Sequence, residues 1–240
     1  MRIGVFDSGI GGLTVLKTLI NKYPKNDYIY YGDTLNLPYG SKTKKELQEL
    51  SKNDVEFLLS KNVDIIIIAC GTVSSNCLEY LKKNYSIPIY DIISPTIKYL
   101  NDSSYSKIGI IATERTIDSH IFKNNLKKKL YEIKTPKLVP LIENNDLENI
   151  NTILDEYLKE YQNKIDILVL GCTHYPIIKE HINNYFDNKT AILDMSYPLL
   201  EKITEDSSSS INIYFSKLNN TIKENTKRIL NLEYINIYQK

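Results

Sequence analysis

Apolar runs and amphipathic stretches alternate along the 240-residue chain. "RIGVF" is a short apolar run. The turn "DSGIGG" follows it, and then Leu13, Leu16 and Ile20 recur at helical spacing. "DYIYYG" reads as a second strand. From Thr43 to Lys61, Leu47, Leu50 and Leu58 share one face among lysines and glutamates, which predicts an amphipathic helix. "DIIIIAC" shows no polar alternation, as a central parallel strand buried on both faces requires. "PIYDII" closes this half. Near Ser94–Pro95 the pattern restarts. "KIGIIAT" predicts a strand, Ile117 to Leu130 a helix, "KLVPLIE" and "IDILVLGCTHYP" further strands with a helix around Leu147 to Tyr161 between them, and "DNKTAILDMS" a last strand. "EDSSSS" reads as a polar linker, and the tail reads as strand, helix, strand.

Strands that alternate with helices predict an α/β fold with parallel sheets. The restart predicts two similar α/β domains, 1–93 plus 206–240 and 94–205, with the site in the cleft between them. Ligands in such folds bind beyond the carboxyl ends of strands. Asp7, Cys70, Thr113 and Cys172 all lie at or just past such ends.

Composition narrows the classes. A net charge of +1 gives no reason to expect nucleic acid or an anionic membrane as a partner. The apolar runs are too short to span a bilayer. Asp7 and a glycine cluster stand where the apolar core of a signal peptide would be. Three cysteines, an odd number, then read as reduced thiols of a cytoplasmic protein.

The candidate chemistry centres on "IIIIACGT" and "ILVLGCTH", which each carry a cysteine out of a buried strand. Two such thiols are expected to face one substrate from two sides. Cys77, seven residues after Cys70 in a helical stretch with Leu78 and Leu81, is assigned to packing. Asp7 stands at the edge of "DSGIGGLT", an amide-rich turn in which a carboxylate would repel a pyrophosphate. "PYGSK" offers Tyr39, Gly40 and Ser41 as donors to a carboxylate. His174, two residues past Cys172, fits an acid–base partner of that thiol. His120 and His181 are expected on solvent-exposed helices. No zinc spacing such as C-x-x-C occurs, so no metal is expected. No arginine falls in these motifs, so an anionic substrate is expected to be held by backbone N–H groups, hydroxyls and helix starts, which suits an amino acid.

Together, "IGVFDSGIGGLTVL", "YYGDTLNLPYGSK", "IIIIACGT", "IGIIATERTI", "VPLIE" and "LVLGCTHYP" resemble, in order, the glutamate racemases of the cofactor-independent aspartate/glutamate racemase superfamily. The resemblance runs to about Asp194, and the tail follows it loosely. It implies Cys70 and Cys172 as the two catalytic bases, Asp7 assisting Cys70, and His174 with Glu143 on the side of Cys172. It implies substrate contacts at Asp7, Ser8, Tyr39, Gly40, Gly71, Thr72, Thr173 and His174. It also implies no cofactor, a homodimer, and D-glutamate supplied for peptidoglycan. One position departs: the resembled motif carries asparagine after the first cysteine, where this chain has Gly71. Room for a bridging water is expected there. The chemistry is consistent, since racemisation removes a proton from one face of the α-carbon and returns one to the other, and a thiol titrates near 8.5. Three other readings stay open: a racemase of aspartate or another amino acid, a thiol hydrolase using Cys172 and His174, and a non-catalytic binding module on the glycine turn.

Overall fold

A computed structural model describes residues 1–207, 209–232 and 235–240. Among these residues, ten strands, in chain order, are β1 (Arg2–Asp7), β2 (Asp27–Gly32), β3 (Ile65–Ile68), β4 (Ile89–Asp91), β5 (Lys107–Ala112), β6 (Lys129–Lys134), β7 (Ile167–Leu170), β8 (Ala191–Asp194), β9 (Ser210–Phe215) and β10 (Asn236–Gln239). They form two sheets, β10-β9-β2-β1-β3-β4 and β6-β5-β7-β8, with every pairing parallel. The order β2-β1-β3-β4 in the first sheet is repeated as β6-β5-β7-β8 in the second. The repeat suggested by the two cysteine strands is therefore a repeat of topology. Cys70 and Cys172 follow its third strands, and Asp7 and Thr113 end or follow its first.

The strands most continuously apolar in sequence lie deepest. β3 and β7 are buried at every position, and β1 at every position but its first. Each fully buried Ile or Val there contributes about 1.5–3 kcal/mol of burial free energy. The ladders continue one residue past the strands. Asp33 N–H donates to the Asp7 carbonyl at 3.0 Å, Ala69 N–H to Phe6 at 2.9 Å, and Gly171 N–H to Ile111 at 2.8 Å. These bonds fix the loops that carry the cysteines.

Two expectations are corrected. Residues 117–130 do not form one helix: short helices Glu114–Asp118 and Ile121–Asn125 flank His120, whose left-handed backbone (φ 56°) breaks the run, and Lys129 begins β6. β6 is a half-buried edge strand rich in lysine and glutamate, as edges often are, and this masks its period of two. "KLVPLIE" is not a strand but the helix Leu138–Glu143, with Leu138 and Ile142 buried one turn apart. Pro140 falls in its first turn, where its missing N–H is not needed. No helix among the described residues is long and apolar enough to cross a membrane.

The helix Lys44–Leu59 fulfils its amphipathic pattern and starts on a capping box. Glu46 N–H donates to Thr43 Oγ1 at 3.3 Å, while Thr43 N–H donates to the Glu46 carboxylate at 2.8 Å. Thr43→Ala is expected to cost about 1 kcal/mol. A melting curve should show a drop in Tm of roughly 2–4 °C.

Candidate active site

β1 delivers Asp7 into the turn Ser8–Gly12, beneath which the helix Leu13–Lys22 begins. Asp7 is fully buried. Gly9 N–H donates to its Oδ1 at 2.9 Å, and the Thr173 hydroxyl donates to its Oδ2 at 3.1 Å. Burial raises the Asp7 carboxyl above its ordinary range, only partly offset by the His174 charge and by donors from Gly9, Gly12 and Thr173. Cys70 leaves β3 at the N-cap of the helix Gly71–Asn84. Its thiol lies 3.7 Å from Ser8 Oγ. Burial, reinforced by the Asp7 charge, pushes the Cys70 thiol well up.

The second sheet carries a parallel arrangement. Cys172 Sγ is 3.7 Å from His174 Nδ1, and His174 Nε2 is 2.5 Å from Glu143 Oε1 at the end of the helix Leu138–Glu143. Burial opposes an imidazolium. The Cys172 and Glu143 hydrogen bonds and charges outweigh it and hold His174 well above its ordinary range. This is a relay from a partly exposed carboxylate through an imidazole to a thiol.

Both thiols line one cavity of about 150 Å³, Cys70 from the first sheet and Cys172 from the second. Ser8, Tyr39, Gly40, Gly71, Thr72, Thr173 and His174 lie on its walls, as expected. Asp7 and Glu143 do not: each stands behind a wall residue, Asp7 behind Thr173 and Glu143 behind His174. Asp7 is fully buried and stands one residue back from the cavity, bonded to the Thr173 hydroxyl. Tyr39 is corrected in part. It lines the cavity, but its hydroxyl bonds to Asp33 and Asp54. Cys77 is buried beside Leu81, as its packing role requires, and burial pushes its thiol up to about 11. His120 is exposed but outside any helix, and His181 is half-buried on the helix Lys179–Tyr185. Neither reaches the cavity. No three His, Cys, Asp or Glu side chains among the described residues converge as a metal site.

Thr135, Val139 and Pro140 also line the cavity and were not foreseen. They sit just past β6 and in the helix Leu138–Glu143, the two elements whose type was misread. Reading "KLYEIK" as a strand would have placed Thr135 at a strand end.

The expected room at Gly71 is overturned. A Cβ at this position would lie 2.7 Å from the Gly171 carbonyl oxygen, backbone of the second half. Gly71 is a point of close approach, not a gap. Gly11 repeats the device across the same seam, since its Cβ would meet His174 Nδ1 and Thr173 Oγ1 at 2.5 Å. Around these glycines, Thr14 Oγ1 donates to the Thr173 carbonyl at 3.0 Å, and the hydroxyls of Thr72 and Thr113 bond at 3.0 Å.

The family model for Asp/Glu/Hydantoin racemase matches residues 21–196. A protein of Aquifex pyrophilus named glutamate racemase is 39% identical, with 98% of this chain and 96% of the relative aligned. The crystal structure of glutamate racemase from Francisella tularensis in complex with D-glutamate superposes with a TM-score of 0.87 at 29% identity, covering 100% of this chain and 96% of that one. The aspartate racemase of Picrophilus torridus, at 18% identity, TM-score 0.67 and coverage of 96% and 99%, shares the fold.

Because the Gly71 seam is backbone against backbone, Gly71→Ala is expected to destabilise by about 1–3 kcal/mol. Thermal melting should show it as a loss of several degrees in Tm. Gly71→Asn should be at least as damaging. A variant as stable as the parent would mean that the seam opens freely.

Proposed function

The chain belongs to the Asp/Glu/hydantoin racemase family, and from that premise we propose that it is a glutamate racemase, interconverting L- and D-glutamate by proton transfer between two thiols and the α-carbon. The observation that carries this reading is that Cys70 and Cys172, from separate sheets, line one small cavity. A hydrolase built on Cys172 and His174 would leave Cys70 without a task. A nucleotide-binding module fits poorly with a buried carboxylate at the glycine turn.

The two sides differ in the empty cavity. Burial and Asp7 favour the neutral thiol at Cys70, while Cys172 lies 3.7 Å from the His174 imidazole, the base that would take up its proton. In one direction the Cys172 thiolate takes the α-proton and the Cys70 thiol returns a proton to the other face. Cys172 ends as thiol and Cys70 as thiolate, the arrangement that the opposite enantiomer needs. Two bases are required because one group cannot reach both faces. Backbone N–H groups at the start of the helix Gly71–Asn84, whose first two residues line the cavity, bear the charge that builds on the substrate carboxylate. Asp7 and His174, with Glu143 behind it, tune the thiols and carry protons to reset them. Ser8, Gly40, Thr72 and Thr173 hold the head group and side chain of the substrate. No step calls for a cofactor.

We divide the chain for this purpose into 1–93 plus 206–240, bearing Asp7 and Cys70, and 94–205, bearing Glu143, Cys172 and His174. On the family resemblance we further propose a cytoplasmic homodimer that supplies D-glutamate for peptidoglycan.

Incubation of each glutamate enantiomer in heavy water tests the reading: α-deuterium should enter as chirality is lost. Cys70→Ser and Cys172→Ser should each lower turnover in both directions by roughly 10²–10⁴-fold, the scale of a lost acid–base group. Full activity in either variant overturns the two-thiol mechanism.

His174→Asn should lower kcat more than it raises KM, because backbone donors for the substrate remain. Its pH signature has a defined sign. A raised imidazole value means that the stability contributed by the imidazolium is complete below the ordinary value of 6.5 and is lost as pH rises through the folded value. Urea unfolding should therefore show the parent losing more stability than His174→Asn above that value.

A further inference from the structure

Behind the cavity wall lies a second pair of acids that the proton transfer does not use. Asp33, just past β2, and Asp54, on the helix Lys44–Leu59, are 2% and 1% exposed. Between them lies the Tyr39 hydroxyl, 2.7 Å from Asp33 Oδ2 and 3.2 Å from Asp54 Oδ2. Tyr39 opens the single turn Tyr39–Ser41, whose three residues all line the cavity.

A count of protons decides the state of this chain. Two contacts among three oxygens need two hydrogens, and the tyrosine has one. The Asn36 amide cannot supply the other, since it donates to both oxygens of Asp33, at 3.0 and 2.9 Å. Among the described residues Asp54 has no other hydrogen-bond partner. As an anion, 1% exposed, it would sit beside a competing carboxylate with no protein donor among the described residues beyond the shared Tyr39 hydroxyl, an arrangement that buried ions avoid. We propose that Asp54 is a positioning residue held as a neutral carboxylic acid, which donates its proton to the Tyr39 oxygen while Tyr39 donates to Asp33, so that the Tyr39–Ser41 turn is fixed on the substrate cavity.

The surroundings agree. Burial and then the Asp33 charge push the Asp54 carboxyl well up, with a further rise from Asp7. The Tyr39 hydrogen bond and then Lys240 work against this and do not reverse it; the Lys240 ammonium lies 4.8 and 4.9 Å from the ring centres of Tyr31 and Phe57. Among the described residues, Tyr31, Tyr39 and Cys77 also feel the Asp54 charge. On its cavity side the turn abuts Thr113, where a Cβ at Gly40 would come within 3.2 Å. The turn is thus clamped between the acid pair and the second half.

The consequence for activity rests on the cavity being the glutamate site, but the chemical state of Asp54 does not. At neutral pH the infrared difference spectrum between the parent and Asp54→Asn should contain a protonated-carboxyl C=O band that shifts in heavy water. Its absence overturns the proposal, because Asp54 would then be an anion. Amide exchange of the Tyr39–Ser41 turn, measured without substrate, should quicken in Asp54→Ala and stay near the parent in Asp54→Asn, whose amide can still donate. Equal quickening in both variants, or in neither, overturns the positioning role. For glutamate turnover, Asp54→Ala should raise KM roughly tenfold, the scale of one lost hydrogen bond, and Asp54→Asn should restore it. A parent inactive on glutamate would overturn the substrate assignment while the spectrum and exchange still decide Asp54.

Discussion

The hydrogen bond from the Thr173 hydroxyl to the Asp7 carboxylate joins the ends of two separate sheets, and the geometry of the cavity depends on it. Asp7 terminates β1, and Thr173 directly follows Cys172, so this bond ties the position of the second thiol to the backbone of the first sheet. Thr14 holds the Thr173 carbonyl from the same side, and Gly11 lets the turn pass beneath His174. A side chain at Gly11 or Gly71 would press the halves apart beside the cavity that both thiols line. Proton transfer is steep in distance, and displacements of an ångström near a reacting centre are costly. The seam therefore serves chemistry as well as stability.

The same seam makes the two thiols unequal. Asp7 is fully buried, and its charge weighs on Cys70, which is itself buried. Across the cavity, His174 is held toward its cationic form by Cys172 and a carboxylate that reaches solvent. One thiol is thus kept protonated and the other is offered a counter-ion. In the proposed two-thiol mechanism one thiol starts as acid and the other as base, and the two lie in unlike surroundings. The Asp33–Tyr39–Asp54 chain extends the pattern: the cavity wall is carried by buried polar groups whose proton positions follow from the count of donors.

Several features were legible in the sequence because they are local. The uninterrupted runs of β3 and β7 announced buried parallel strands, and the small-residue–cysteine endings announced thiols at strand ends. Cys77 showed its packing role through helical spacing. What failed was also local in origin. β6 is an edge strand whose polar positions imitate a helix surface, and "KLVPLIE" is too short for its period to separate strand from helix. Those two errors hid Thr135, Val139 and Pro140 from the site.

The sequence by itself determined the α/β class, the two thiol-bearing strands and the pairing of Cys172 with His174, since periodicity and short spacing are properties of neighbouring residues. Only the tertiary structure decided where side chains from separate elements meet. It placed Asp7 behind Thr173 and not on the cavity wall, turned the Tyr39 hydroxyl toward Asp33 and Asp54, and made Gly71 a contact with Gly171 instead of a gap. The first and last depend on the distance between two sheets and the Tyr39 contact on how the helix Lys44–Leu59 packs beside β2, and no short stretch of residues encodes either.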